Sequence, residues 1–88
     1  MEIEYRKKFL KELSKLPNDY AKTIETFVFD ELPTCESFEE VGKIEKMKGY
    51  KQHFRIRFGN YRVGIKKEAN GIIIETVMHR KEIYKFFP

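Results

Sequence analysis

The sequence predicts an α+β fold in which two amino-terminal helices pack on one face of a small, mainly antiparallel β-sheet, all within a single domain spanning residues 1–88. Apolar residues keep helical spacing in the first third of the chain and alternate one-in-two across its last half, which separates a helical region from a strand region. The order strand, helix, helix, then antiparallel meander segregates the helices to one side of the sheet and leaves the other side open. With 88 residues, 41% of them hydrophobic and 15% aromatic, there is material for one modest core and none for a second folded module.

Met1 to Tyr5 alternates, with Ile3 and Tyr5 sharing a face, and predicts a short first strand. Phe9, Leu10, Leu13 and Leu16 then define the stripe of a first helix, which Pro17 stops. Pro17, Asn18 and Asp19 are start signals for a second helix with the stripe Tyr20, Ile24, Phe27 and Val28, ending before Pro33. Helices joined so briefly are expected to pack as a hairpin that serves as scaffold. Thr34 to Gly42 reads as a connector with one helical turn, because Ser37 and Glu40 have capping-box spacing.

From Lys43 the period becomes two. Phe54, Ile56 and Phe58 fall on one face of a strand and His53, Arg55 and Arg57 on the other. Gly59-Asn60 is a two-residue turn, Tyr61 to Lys67 the returning strand, Asn70-Gly71 a second turn, and Ile72 to His79 the last strand. The tail from Arg80 to Pro88 is expected to form one helical turn that leaves Phe86 and Phe87 exposed.

A two-residue loop sets Arg57 opposite Arg62 and Arg55 opposite Gly64, so Arg55, Arg57 and Arg62 converge on the face away from the helices. Like charges opposed across strands cost about 0.2–1 kcal/mol, which a bound anion would relieve. Gly64 leaves room there for a backbone or ligand to approach. If Ile72, Ile74, Thr76 and Met78 face the helices, Glu75 and His79 emerge on the arginine side. Charge follows the same division: residues 1–44 hold seven Lys/Arg against ten Asp/Glu, residues 45–88 eleven against four, so the carboxyl half favours a polyanionic partner.

Several classes are excluded. The charged opening of Glu2, Glu4, Arg6, Lys7 and Lys8 has no secretory apolar segment, and no apolar run approaches the roughly 20 residues that span a bilayer, so a cytoplasmic protein without a membrane partner is expected. The single Cys35 permits no internal disulfide and joins no zinc-spaced cluster; neither metal nor other cofactor is expected.

Lys48-Gly49-Tyr50, the run Phe54-Arg55-Ile56-Arg57-Phe58-Gly59-Asn60-Tyr61-Arg62-Val63, then His79-Arg80 and Tyr84, with the early Phe9, Leu13 and Leu16-Pro17, resemble the RelE/ParE superfamily of bacterial and archaeal toxins. The resemblance implies a sheet topped by two helices, similar to small microbial ribonucleases, and metal-independent messenger RNA cleavage at the ribosomal A site. It places RNA-binding groups at Arg55, Arg57, Lys48 and Lys51, a phosphate-stabilising arginine at Arg62, and tail groups at Arg80 and Tyr84. Related toxins of the YoeB kind pair a glutamate with a histidine, for which Glu45 and His79 stand at the matching places. RelE itself often carries lysines where this chain has Arg55 and Arg57 and lacks that pair, so the assignment is His79 as general acid with either Glu45 or Tyr84 as base. Implied partners are a cognate antitoxin, messenger RNA and the ribosome. The alternatives are a ParE-like toxin acting on gyrase and a non-catalytic RNA-binding module, since fold does not separate them.

Overall fold

Strict alternation in residues 53–67 around a two-residue turn builds an antiparallel pair, and the rest of the sheet grows on it. In the computed structural model, which describes all 88 residues, the elements are β1 (Glu2–Tyr5), α1 (Lys7–Leu13), α2 (Asn18–Glu25), β2 (Ile44–Lys46), β3 (His53–Phe58), β4 (Tyr61–Lys67), β5 (Gly71–His79) and α3 (Arg80–Phe86). The five strands lie in the order β1-β5-β4-β3-β2. All neighbours are antiparallel except β1, which runs parallel to β5 along one edge. The α+β class therefore holds, as a mixed five-stranded sheet with three helices.

Phe9 and Leu13 from α1, with Ile24, Val28 and Leu32 from the second helical segment, are buried in one cluster with Ile56, Val63, Ile65, Ile72, Ile74 and Val77 of the sheet. α1 ends a turn earlier than its stripe predicts, because the residue before a proline is driven out of helical backbone; Leu16 still packs against the core from the following turn. α2 continues into a π-helical stretch, Thr26–Glu31, and a 3-10 turn, Leu32–Thr34, that takes in Pro33. The wider π turn suits the four-residue spacing of Ile24, Val28 and Leu32, which an ideal helix of 3.6 residues per turn would rotate away from the core. The expected single turn in the connector is a 3-10 turn, Phe38–Glu40, without a capping box: Glu40 accepts a hydrogen bond from the Glu36 N–H at 2.7 Å, and the Ser37 side chain makes no cap.

Two departures reshape the arginine side. Ile65 pairs with Ile74 but Gly64 pairs with Thr76, so Glu75 is an extra residue bulged out of β5. A one-residue insertion moves every later side chain to the opposite face. Thr76 and Met78 therefore stand with Gly64 and Arg62 on the arginine face, whereas Val77 and His79 stand with Val63 and Tyr61 on the helix face, the reverse of the expectation. Glu12 of α1 closes the β5 edge beyond the end of β1, accepting hydrogen bonds from the Thr76 hydroxyl at 2.5 Å and from the Val77 N–H at 3.3 Å.

The face expected to be open is instead covered through its middle by α3. Ile83 and Phe87 form a second small core with Met47 and the partly buried Met78. Phe87, expected to be exposed, is only 6% exposed; Phe86 does point to solvent. The Phe87 ring fills the space expected to admit a ligand at Gly64: a Cβ there would lie 2.9 Å from ring atoms of Phe87 and 2.9 Å from Cγ2 of Thr76. Gly64→Ala is expected to lower stability by about 1–3 kcal/mol through overpacking and to speed hydrogen exchange across α3. Denaturant melts with native-state exchange check both, and unchanged α3 protection would show that Phe87 does not hold the helix down.

Candidate functional site

The turn between β3 and β4 organises the site. Gly59 has a φ of +57°, a left-handed backbone that favours glycine, and the Tyr20 ring lies 2.8 Å from where its Cβ would be. The turn's carbonyls are thereby held in place. The Arg62 guanidinium donates through Nη1 to the Gly59 carbonyl at 2.8 Å and to the Tyr61 carbonyl at 2.9 Å. The next carbonyl, of Asn60, accepts the Arg80 backbone N–H at 2.8 Å. One two-residue turn thus anchors an arginine of β4 and the start of α3.

Arg62 is the one buried charged residue, 8% exposed, and no carboxylate lies within ion-pair distance of it. None of its nitrogens is buried without a partner, so the N–H groups not used on the turn reach solvent. Its pKa is pulled below the ordinary arginine value, first by burial, then by the charges of Arg57 and Arg55, with Arg80 adding to them and Glu45 opposing. An arginine stays charged even so. The result is a fixed, under-compensated positive site ringed by three further arginines, with guanidinium geometry that matches phosphate oxygens.

Beside it, Arg55 is engaged from several directions. Its Nη2 lies 3.7 Å from the Glu45 carboxylate, its paired residue on β2, and its Nη1 lies 3.6 Å from the Met47 sulfur. The exposed Tyr84 ring of α3 sits over the same guanidinium, 4.7 Å away. The structure therefore brings together Arg55, Arg57, Arg62 and Arg80, with Glu45 and Tyr84 on Arg55.

It does not bring His79 to this cluster. Past the β5 bulge, His79 pairs with Tyr61 on the helix side, where the two rings stand 5.6 Å apart and Tyr61 meets Tyr20 at 4.7 Å. Its Nδ1 accepts the Lys81 N–H at 3.2 Å, which makes it the N-cap of α3. Lys48 and Lys51 are exposed in the β2–β3 loop, at the His53 end of β3. That end is four residues, about 13 Å of strand, from Arg57. His53, which sequence reading left without a role, lies on the arginine face between the Tyr50 ring at 5.7 Å and the Phe87 ring at 5.5 Å. Its alternation with Arg55 and Arg57 was the available signal. The carbonyls of Gly59 and Asn60 were equally unassigned, since sequence does not say where a carbonyl points.

The largest surface depression lies elsewhere, between Glu2–Glu4 and Glu68–Ile73, with a rim of carboxylates unsuited to a polyanion. No helix is long and apolar enough to cross a membrane.

Comparison with known proteins gives the chain a family. The family model described as the ParE toxin of type II toxin–antitoxin systems, parDE, matches residues 3–84. Toxin RelE3 of Methanocaldococcus jannaschii is 38% identical over 89 residues, spanning all of both chains. The crystal structure of the RelB–RelE antitoxin–toxin complex from Methanococcus jannaschii superposes with a TM-score of 0.79 at 38% identity, covering 97% of this chain and 99% of that one. The RelBE2 toxin–antitoxin complex of Mycobacterium tuberculosis shares the fold at a TM-score of 0.68 and 22% identity, over 89% of this chain and 95% of that one. The fold and the matches define a small type II toxin. The chain belongs to the RelE/ParE superfamily, and its full-length likeness is to a RelE toxin.

Arg62→Met removes a buried charge from among three others and is expected to melt at or above the wild-type temperature. If this is an anion site, phosphate is expected to raise the wild-type melting temperature more than that of the variant, by linkage. Equal shifts in a thermal titration would place the anion site elsewhere.

Proposed function

We propose that the chain is an endoribonuclease that cuts messenger RNA at the ribosomal A site, using only protein side chains. The observation that carries this reading is Arg62, buried, tied to the β3–β4 turn by two carbonyls and lacking a carboxylate partner while Arg57 and Arg80 stand near. Cleavage by attack of a 2′-hydroxyl on its adjacent phosphate forms a cyclic phosphate and breaks the bond to the 5′ oxygen. Fixed cations that need no reorganisation are worth most where that charge develops. Arg62 and Arg80 hold the phosphate oxygens, and Arg57 adds to the field.

Tyr84, seated on Arg55, takes the 2′ proton; Glu45 keeps Arg55 in place beneath it. The leaving oxygen is stabilised by Arg80 and takes its proton from water. His79 acts by capping α3, which sets Arg80 and Tyr84, so it is a positioning residue in this scheme rather than an acid. α1 and α2 form the back of the sheet, and RNA binds on the other side, beside α3. Messenger RNA places the activity in the cytoplasm. A protein this small has little surface with which to orient a substrate, and the ribosome supplies that orientation. Its partner is a cognate antitoxin that covers the basic face, as related toxins are found in complexes named RelB–RelE, RelBE2 and DinJ–YafQ.

Single-turnover cleavage of ribosome-bound messenger RNA is expected to slow about 10²–10³-fold in Arg62→Ala, the loss typical of one preorganised donor. Tyr84→Phe, which keeps the ring on Arg55, is expected to be as slow, whereas His79→Asn, which keeps an N-cap, is expected to stay within a few-fold of wild type. Loss of activity in His79→Asn with a normal Tyr84→Phe would exchange their roles. The match to the ParE family model favours a second reading, inhibition of gyrase, so a supercoiling assay is run beside the cleavage assay. Inhibited supercoiling with uncut RNA would replace the nuclease by a gyrase poison.

A further inference from the structure

We propose that Tyr50 is a nucleobase-stacking platform, a second subsite that holds single-stranded RNA a few nucleotides from the phosphate gripped by Arg62. The inference rests on the RNA-cleaving reading and extends it to residues outside the arginine cluster. Tyr50 stands in the β2–β3 loop, 47% exposed, where its amide donates to the Met47 carbonyl at 3.1 Å and Gly49 turns the chain with a φ of +87°. A large aromatic ring so exposed needs support to stay in one place. The half-buried His53 ring meets it at 5.7 Å and 79°, and His53 in turn meets the buried Phe87 at 5.5 Å and 75°. Tyr50 is therefore tied, ring by ring, to the small core under α3.

Its electrostatic setting points to the same ligand. Lys48 and Lys51 flank it, both exposed and neither within 4.0 Å of a carboxylate, so their ammonium groups are free to meet a phosphodiester backbone. Basic residues that track a backbone, with an aromatic ring among them, are the combination that binds single strands, because every base has a face to stack while the charge is the same at every step. The platform also stands at one end of the β-strand that carries two of the arginines. His53, Arg55 and Arg57 share one face of β3, leading from the Tyr50 end to the Arg62 end over about 13 Å. A ring already held in place loses little conformational freedom on binding. Stacking there would fix the position of the scissile phosphate along the strand.

The test is binding of a short single-stranded oligoribonucleotide made uncleavable by 2′-O-methyl groups, with 2-aminopurine placed at each position in turn. Wild type is expected to quench 2-aminopurine at one position beyond the phosphate contacts. Tyr50→Ala is expected to weaken binding about tenfold or more, the loss typical of one base stack, and to abolish that quench. Tyr50→Phe keeps the face without the hydroxyl and is expected to bind as wild type. An abasic oligonucleotide at the quenched position is expected to bind wild type and Tyr50→Ala equally. The proposal is overturned if Tyr50→Ala binds like wild type, or if Tyr50→Phe fails along with it, which would mean a hydrogen bond rather than a stack. Either result with binding still lost in Arg62→Ala leaves the nuclease reading standing. An absence of binding by wild type, together with no cleavage on ribosomes, would remove both.

Discussion

The β3–β4 turn leaves its two strands one register, and that register forces Arg57 and Arg62 to face each other across the sheet. Such a pairing is held against repulsion, at a cost of about 0.2–1 kcal/mol, because the apolar residues on the reverse side of the same strands are buried in the main core. Slipping by one residue would relieve the arginines and expose Ile56, Val63 and Ile65. Hydrophobic burial therefore dictates the charge cluster. The turn's own carbonyls then fix the Arg62 guanidinium and the first amide of α3, so the residue that carries the charge and the helix that brings Arg80 and Tyr84 share one foundation. Tyr20 beneath Gly59 ties that foundation to α2.

A single extra residue, Glu75, divides β5 into two functional halves. Before the bulge, Ile72 and Ile74 face the helices as simple alternation requires; after it, Val77 takes the core position and Met78 turns to the arginine side. Met78 joins Met47, Ile83 and Phe87 in a patch that seats α3. Without the bulge, His79 would join the arginines and α3 would lose part of its seat. Glu12 supports the bulged edge by standing in for the strand partner that β1 no longer supplies. These contacts link α1, on the back of the sheet, to the height at which α3 lies on the front.

Charge is divided along the chain: residues 1–44 are acidic in balance, while the arginine face, built from the basic half, collects positive charge and leaves its most buried member uncompensated. A polyanion approaching such a molecule is oriented before contact. Aromatic rings stand along the basic face: Tyr84 sits over Arg55, and Tyr50 rises beside Lys48 and Lys51.

Much of this was legible in the sequence. The strand limits around Gly59-Asn60, the convergence of Arg55, Arg57 and Arg62, and the apolar faces of α1 and α2 all follow from periods of two and near four, which the covalent geometry of strands and helices imposes locally. The bulge at Glu75 was not legible, because nothing in Ile-Ile-Ile-Glu-Thr-Val-Met says where one residue will be squeezed out of a ladder; the choice belongs to Gly64, Thr76 and the edge that Glu12 caps. Phe87 likewise looked like an exposed tail residue. Only the assembled sheet creates the hollow at Gly64 that its ring fills. Local backbone chemistry thus determined which residues share a strand face, whereas long-range packing decided that His79 turns away from the arginines and that a helix covers the middle of their face.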